Sequence, residues 1–176
     1  MMFTPLFEFF EIIFDFMASG GDVLKVIFFV SFLMWILIIE RFLFFKKSHS
    51  DLINSMSDEW SARDEKKSWF AKQIREFNIS SAKNEFYKNI SLIKTLVSVC
   101  PLLGLLGTVT GMIAVFDVMA LTGTGNARLM ASGISMATIP TMAGMVTALS
   151  GLYFGNVFEG KAKKALSLLD EKLSIG

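Results

Sequence analysis

The stretch TLVSVCPLLGLLGTVTGMIAVF, from Thr95 to Phe116, contains no charged residue and lies between Lys94 and Asp117. A helix needs about 20 apolar residues to cross the hydrocarbon core of a bilayer, so this stretch predicts a transmembrane helix. The uncharged stretch 129–158 is also long enough to cross. Because the backbone polar groups of a spanning segment must be satisfied within a helix or a closed barrel, two such stretches predict an all-α integral membrane protein.

A third transmembrane helix is predicted closer to the N-terminus. The segment 26–39 is uncharged, and its apolar character extends from Val23 to Phe45. Lys25 can extend its ammonium group to one membrane surface, while Glu40 and Arg41 lie at the other. The composition agrees, since 53% of the 176 residues are hydrophobic and only 19% are charged. A soluble chain of this length has too little interior for that much apolar surface.

The distribution of positive charge predicts the orientation. Of the 17 lysines and arginines, all but Lys25 and Arg128 lie on one side of the predicted spans. The positive-inside rule places that side in the cytoplasm. The predicted order is an outer helix at 1–21, a first span at 22–45, a cytoplasmic helical domain at 46–94, a second span at 95–120, an outer turn at 121–128, a third span at 129–158 and a cytoplasmic C-terminal helix at 159–176.

The N-terminal helix is predicted to be amphipathic and to lie in the membrane interface, because its apolar residues recur at helical spacing. It is interpreted as an anchor or as a docking surface for an outer partner. A break is predicted at Ser19, Gly20 and Gly21, with Asp22 as the N-cap of the first span. The apolar residues of this helix are Phe3, Leu6, Phe7, Phe10, Ile13, Phe14 and Met17.

The cytoplasmic segment 46–94 contains no proline or glycine, which favours helices. Breaks are predicted around the serine-rich segments 55–61 and 80–81. Its basic residues are mixed with acidic ones, so we expect no nucleic-acid binding.

Few side chains indicate chemistry. His49 and Cys100 are the only histidine and cysteine, which argues against a metal site or a disulfide. Ser135 resembles the nucleophile of an intramembrane protease, but no histidine or lysine is predicted to be embedded in the membrane and able to act as its base. We therefore expect no enzymatic activity and no cofactor.

Small residues in the last two spans predict close packing of helices. Proline at position 140 removes the helical donor for the carbonyl of Met136 in the middle of a span. That carbonyl, one turn from the Thr141 hydroxyl, is a candidate cation ligand, and a plain helix kink is the alternative. The packing residues are Gly104, Gly107, Gly111, Gly133 and Gly144.

Two motifs carry a family resemblance. The run PLLGLLGTVTGM, from Pro101 to Met112, and the run GISMA, which begins at Gly133 and is followed by Thr141, resemble the MotA/TolQ/ExbB family of ion-channel subunits. Three spans and an outer N-terminus are closest to ExbB and TolQ. The resemblance implies a pentameric ring in the bacterial inner membrane, with a periplasmic N-terminus and a cytoplasmic C-terminus. Two copies of a single-span ExbD/TolR-like partner, each with an essential aspartate, would lie inside that ring.

The resemblance also implies a function. The ring would couple cation flow to mechanical work, which the ExbD/TolR-like partner transmits to a TonB/TolA-like protein. Thr108 and Thr141 would be pore threonines facing the partner's aspartate, and Asn156 would lie near the inner mouth. The remaining predicted ion-pathway residues are Ser135, Met136, Thr138 and Pro140.

One departure from the family pattern concerns Met136, which occupies the position of a glutamate in proton-driven relatives. Proton transfer normally needs a titratable group or a water chain, whereas sodium can bind neutral oxygens. We therefore favour transported Na⁺ over H⁺. In one alternative, the partner's aspartate carries protons without help from this chain. In another, the chain forms a scaffold ring that conducts no ion.

Overall fold

A computed structural model describes residues 4–47, 49–63, 65, 68–123 and 127–174. These residues form six helices, and there is no strand in this part of the chain. The helices are α1 (Thr4–Ser19), α2 (Gly21–Lys47), α3 (His49–Ser61), α4 (Trp69–Tyr87), α5 (Ile90–Thr122) and α6 (Ala127–Lys172).

Three helical segments are long and apolar enough to cross a membrane. Their most apolar windows have mean hydropathies of 2.4, 2.1 and 1.2, and they lie within Gly21–Lys47, Trp69–Leu121 and Met130–Lys172. The prediction of an all-α protein with three candidate membrane-spanning helices is therefore confirmed for the described residues. Residues 124–126, in the predicted outer turn, lie outside the described part of the chain.

The first helix boundary lies at the predicted glycines. Helix α1 ends at Ser19 and α2 begins at Gly21, whose φ of 67° is in the left-handed region that glycine adopts without strain. Asp22 is not the N-cap of α2, because it lies within the first turn and forms an ion pair with Lys25 at 2.7 Å. Phe3 and the side chains of residues 4–10 lie outside the described part, so the amphipathic face of α1 stays a prediction.

The predicted break at residues 80–81 is wrong, because α4 continues through Ser80 and Ser81. The break predicted around residues 55–61 lies at the end of that segment, where α3 ends at Ser61. Serine is tolerated inside a helix, so packing of the flanking apolar residues overrides its weak preference for turns. The break before α5 lies instead at Asn89, whose φ of 59° is left-handed, a conformation that asparagine tolerates better than most residues.

The chain divides into two compact units. The first contains residues 1–34 and 95–150, and the second contains residues 35–94 and 151–176. In the first unit, Ile13, Phe16 and Met17 of α1 line a largely apolar cavity of 460 Å³ together with residues of α2 and α6.

The second unit has a core of large side chains. Phe45 stacks on Phe158 with ring centroids 6.0 Å apart, and Phe44 lies edge-on to Phe86 at 6.4 Å. Aromatic side chains bury large apolar areas, which makes them the main stabilising residues of such a core. The fully buried residues of this unit include Phe86, Ile93, Phe158, Ala162, Leu169 and Leu173.

Candidate functional site

The predicted ion-pathway residues of the first unit lie where α5 packs against α6 in antiparallel orientation. Gly104 lies against Thr141 and Gly111 lies against Ala137. A Cβ added to Gly104 would lie 2.9 Å from the Cα of Thr141, and one added to Gly111 would lie 2.6 Å from the Cα of Ala137. Real Cβ atoms do not approach other atoms below 3.0 Å, so both positions require glycine. In a bilayer, such close backbone approach is a main source of helix association.

The other predicted packing glycines also lie in close contact with the facing helix, Gly144 against backbone and Gly107 and Gly133 against side chains. Gly144 lies against the carbonyl of Cys100, which would be 2.5 Å from an added Cβ. Gly107 lies against the ring of Pro140, and Gly133 lies against Val115. Proline at position 140 is buried and stays within a continuous α6, so its ring fills the space that a side chain on Gly107 would occupy.

Close packing brings the Thr141 hydroxyl to the backbone of α5. Its Oγ1 donates a hydrogen bond to the carbonyl oxygen of Gly104 at 2.8 Å. The Thr108 Oγ1 donates within α5 to the carbonyl of Leu105 at 2.6 Å. A hydroxyl has one donor hydrogen and two acceptor lone pairs, so both threonine oxygens retain lone pairs. Neutral oxygens of this kind are ligands for a hard cation.

Met136 lies beside a cleft of 310 Å³ rather than at the Thr141 contact. Its neighbours there include Thr110 of α5 and Asp22 of α2. The Asp22 carboxylate already has a cationic partner in Lys25 at 2.7 Å. The cleft is completed by Gly20, Gly21, Val23, Gly107 and Gly111.

The remaining predicted ion-pathway residues do not join the Thr141 contact. Ser135 and Thr138 are exposed on α6, and the Thr138 hydroxyl donates to its own helix, at the carbonyls of Ile134 and Ser135, 3.2 and 3.1 Å away. Asn156 is exposed and belongs to the second unit. An exposed position in a spanning helix leaves a side chain available to lipid or to another chain.

The structure adds two groups that the sequence analysis did not place in the site, Asp22 and Thr110. Both residues line the cleft beside Met136. Asp22 belongs to a different helix from Met136 and is far from Met136 in the sequence. The spacing of motifs within α6 gives no information about Asp22, which lies in α2. The signal in the sequence was an acidic residue next to the Gly20-Gly21 break.

In the second unit, Arg41 is fully buried, and charged pairs join distant segments. The Nη1 of Arg41 donates to the carbonyl of Glu85 at 3.0 Å. Asn89 donates to Glu40 at 2.6 Å, so the Glu40-Arg41 dipeptide contacts the chain around the α4–α5 break. The ammonium group of Lys94 pairs with Glu159 at 2.5 Å. Sequence analysis placed Glu40 and Arg41 at a membrane surface but could not identify these partners.

No group of three or more His, Cys, Asp or Glu side chains in the described residues is arranged to hold a metal ion. What the site offers is hydroxyl and carbonyl oxygens between two closely packed helices. Such a site can bind or pass a small cation, but its side chains include no nucleophile with an adjacent base.

Comparison with known proteins gives a consistent result. A model of the MotA/TolQ/ExbB proton channel family matches residues 40–171. The biopolymer transport protein ExbB-like 3 of Synechocystis sp. is 39% identical over 84 residues, which cover 47% of this chain and 40% of that protein. The biopolymer transport protein exbB1 of Vibrio cholerae is 29% identical over 110 residues, 60% of this chain and 48% of that protein.

A third relative is the biopolymer transport protein ExbB of Helicobacter pylori. It is 30% identical over 98 residues, which cover 56% of this chain and 65% of that protein. The chain therefore spans less than two thirds of the length of each of these three relatives. The matched residues include the α5 and α6 segments that form the site.

Proposed function

Because the chain belongs to the MotA/TolQ/ExbB proton channel family, we propose that it is an ExbB-like channel subunit of an ion-driven motor in the bacterial inner membrane. The motor couples cation flow to mechanical work. An ExbD/TolR-like single-span partner transmits that work to a TonB/TolA-like protein. The similarity to biopolymer transport proteins supports this proposal.

The exposed apolar surface of the spans supports assembly with further chains. Only 22%, 28% and 17% of the three most apolar windows is buried inside the chain. The remaining apolar surface needs lipid or other protein chains to cover it. We propose that five copies surround two copies of the partner, with the N-terminus in the periplasm and the C-terminus in the cytoplasm.

The single observation that carries the proposed ion pathway is the hydrogen bond from Thr141 to Gly104. This bond holds the Thr141 hydroxyl oxygen between two helices. Because the hydroxyl is the donor, the bond does not use the lone pairs of its oxygen. The Thr108 oxygen has the same character, and the Met136 carbonyl lacks its helical donor because Pro140 has no N–H.

These oxygens are neutral, which favours sodium over protons. They supply ligands without a group that titrates near neutral pH. The aspartate of the partner would supply the negative charge that a bound Na⁺ needs. Met136 contributes no carboxylate to a proton relay, in contrast to the glutamate that the family resemblance places there.

The test uses the chain reconstituted in vesicles with its partner, under an imposed sodium gradient or an imposed proton gradient. Thr108→Ala and Thr141→Ala are each expected to lower sodium-dependent ion flux at least tenfold while ring assembly is retained. Ser150→Ala is the matched control, since it removes a hydroxyl of α6 that donates to the carbonyl of Thr147 at 2.7 Å and that is not assigned to the ion pathway. Full flux in both threonine variants would show that the pathway is assigned to the wrong residues.

A non-conducting scaffold ring is the second candidate function, and the methionine at position 136 favours it. A scaffold needs the glycine packing between α5 and α6 but no ion ligand. The same vesicles separate the two functions, because a scaffold passes neither ion under either gradient while still binding its partner.

A further inference from the structure

A cavity in the second unit is not used by the proposed ion pathway. It has a volume of 230 Å³ and lies among the end of α2, the start of α3 and the last turns of α6. Its lining consists of Phe45, His49, Lys161, Lys164, Ala165 and Leu168. Three of these residues carry side-chain nitrogen and the other three are apolar.

The charges around this cavity are unbalanced. Lys161 and Lys164 are three residues apart on α6, which places them on the same side of that helix. Among the described residues, neither lysine has a carboxylate within 4.0 Å, and the cavity lining contains no acidic residue. The Nζ of Lys161 instead lies 5.8 Å from the ring centroid of Phe42. Two cations therefore face one cavity without a counter-charge.

His49 adds a second, independent sign of a missing ligand. Its Nδ1 is buried and has no hydrogen-bond partner within the described part of the chain. A buried polar atom without a partner is unusual and costs free energy, so a ligand that supplies the partner is favoured. An oxyanion satisfies this requirement because its oxygens can accept hydrogen bonds from an N–H at Nδ1 and from both ammonium groups at once.

The surroundings indicate what bears the anion. Helix α2 is one of the three candidate spans, and it ends on Lys46 and Lys47 close to Phe45 in the sequence. Basic pockets beside the ends of transmembrane helices bind phosphate groups of lipids. The wall formed by Phe45, Ala165 and Leu168 suits the apolar part of such a molecule. The cavity volume of 230 Å³ exceeds that of several waters of roughly 30 Å³ each, which is enough for a phosphate group.

We propose that this cavity binds a phosphate group, supplied by the head group of an anionic phospholipid or by free phosphate. Lys161 and Lys164 supply the charge, and His49 supplies a hydrogen bond. The site would tie α6 to the α2–α3 connection through a ligand, a role independent of ion conduction through the first unit.

The test measures ligand binding to the purified full-length chain. Native mass spectrometry compares the retention of phosphatidylglycerol with that of phosphatidylcholine, and calorimetry measures the affinity for inorganic phosphate. Lys161→Gln combined with Lys164→Gln is expected to weaken binding at least about tenfold, since each basic residue near an anionic surface contributes on the order of one factor of five to ten. Preferential retention of phosphatidylglycerol identifies the lipid source, and binding of inorganic phosphate alone identifies the free anion.

The matched control removes the same charge outside the cavity. Lys72→Gln combined with Lys163→Gln changes two exposed lysines that do not line the cavity, and binding is expected to change less than twofold. Lys161→Arg combined with Lys164→Arg keeps the charge and is expected to retain binding, which guards against a fold defect in the glutamine variant. Equal losses in the control and in the cavity variant, or no binding of either probe by the unaltered protein, would overturn the proposal.

Discussion

The two units of the chain are held together by different kinds of contact. In the first, α5 and α6 meet through glycines and a hydroxyl, as at Gly111 with Ala137 and at Thr141 with Gly104. In the second, large aromatic rings and charged pairs predominate, as at Phe158 and at Arg75 with Asp170. Within a bilayer there is no hydrophobic gain from burying leucine, so association depends on close van der Waals packing. The second unit also contains α3, α4 and the charged end of α6, and amphipathic helices in water are stabilised by burial of large side chains.

The two units therefore differ in the substitutions that they tolerate. A contact made by backbone against backbone has no flexible side chain that can move aside. A contact made by long charged side chains can rearrange and is partly screened by solvent. We therefore expect the first unit to be sensitive to volume and the second to be less sensitive to loss of a surface charge.

The largest effect is expected from Gly111→Val. The added side chain would lie 2.6 Å from the Cα of Ala137 and would force α5 and α6 apart, at a cost of about 1–3 kcal/mol or more in the free energy of unfolding. Thermal unfolding in detergent measures it. Gly160→Ala is the matched control, because nothing lies within 4 Å of the Cβ it adds. Equal stability of the two variants would show that α5 and α6 do not need their close approach.

Met136→Glu is expected to affect folding less than Gly111→Val does, but to change which ion drives the flux. This substitution places a titratable group in the unit whose α5–α6 contacts use neutral oxygens. Under the sodium proposal, vesicle flux should lose sodium dependence several-fold and gain dependence on the proton gradient. The control is Met145→Glu on an exposed position of the same helix. Unchanged sodium dependence in Met136→Glu would contradict any role for this position in the ion pathway.

The smallest effect is expected from Arg75→Gln in the second unit. Arg75 pairs with the Asp170 carboxylate at 2.5 Å, and its Nε donates to the carbonyl of Leu173 at 2.9 Å. The pair is partly exposed, so its loss should lower the free energy of unfolding by about 1 kcal/mol or less. High salt should reduce the difference from the unaltered protein. A loss of several kcal/mol that does not depend on salt would show that Arg75 supports the core rather than the surface.

Much of the helical architecture could be predicted because it depends on local properties. Stretches without charge gave the three spans, and the glycines at the end of α1 marked its boundary with α2. The break predicted at Ser80 and Ser81 was wrong because serine only weakly opposes a helix, and apolar packing in α4 overrides that preference. The partner of Arg41, the carbonyl of Glu85, could not be predicted because the two residues come together only through folding.

The candidate site was predictable in part. The motif resemblance named Thr108, Thr141 and Met136, and spacing named the packing glycines. Neither the resemblance nor the spacing could show that Ser135 and Thr138 are exposed and do not join the Thr141 contact. They also could not show that Asp22 lines the same cleft as Met136. The helical repeat predicts on which side of its own helix a residue lies, but it does not predict which other helix packs against that side.

Three candidate membrane-spanning helices and the resemblance to an ion-channel family could be recognised in the sequence, because apolarity and motifs are local properties. Which groups meet depends on the tertiary structure. The hydrogen bond from Thr141 to Gly104 depends on the antiparallel register of α5 and α6, and the uncompensated lysines beside His49 depend on α6 reaching the start of α3. Both follow from packing between distant segments, which no local pattern specifies.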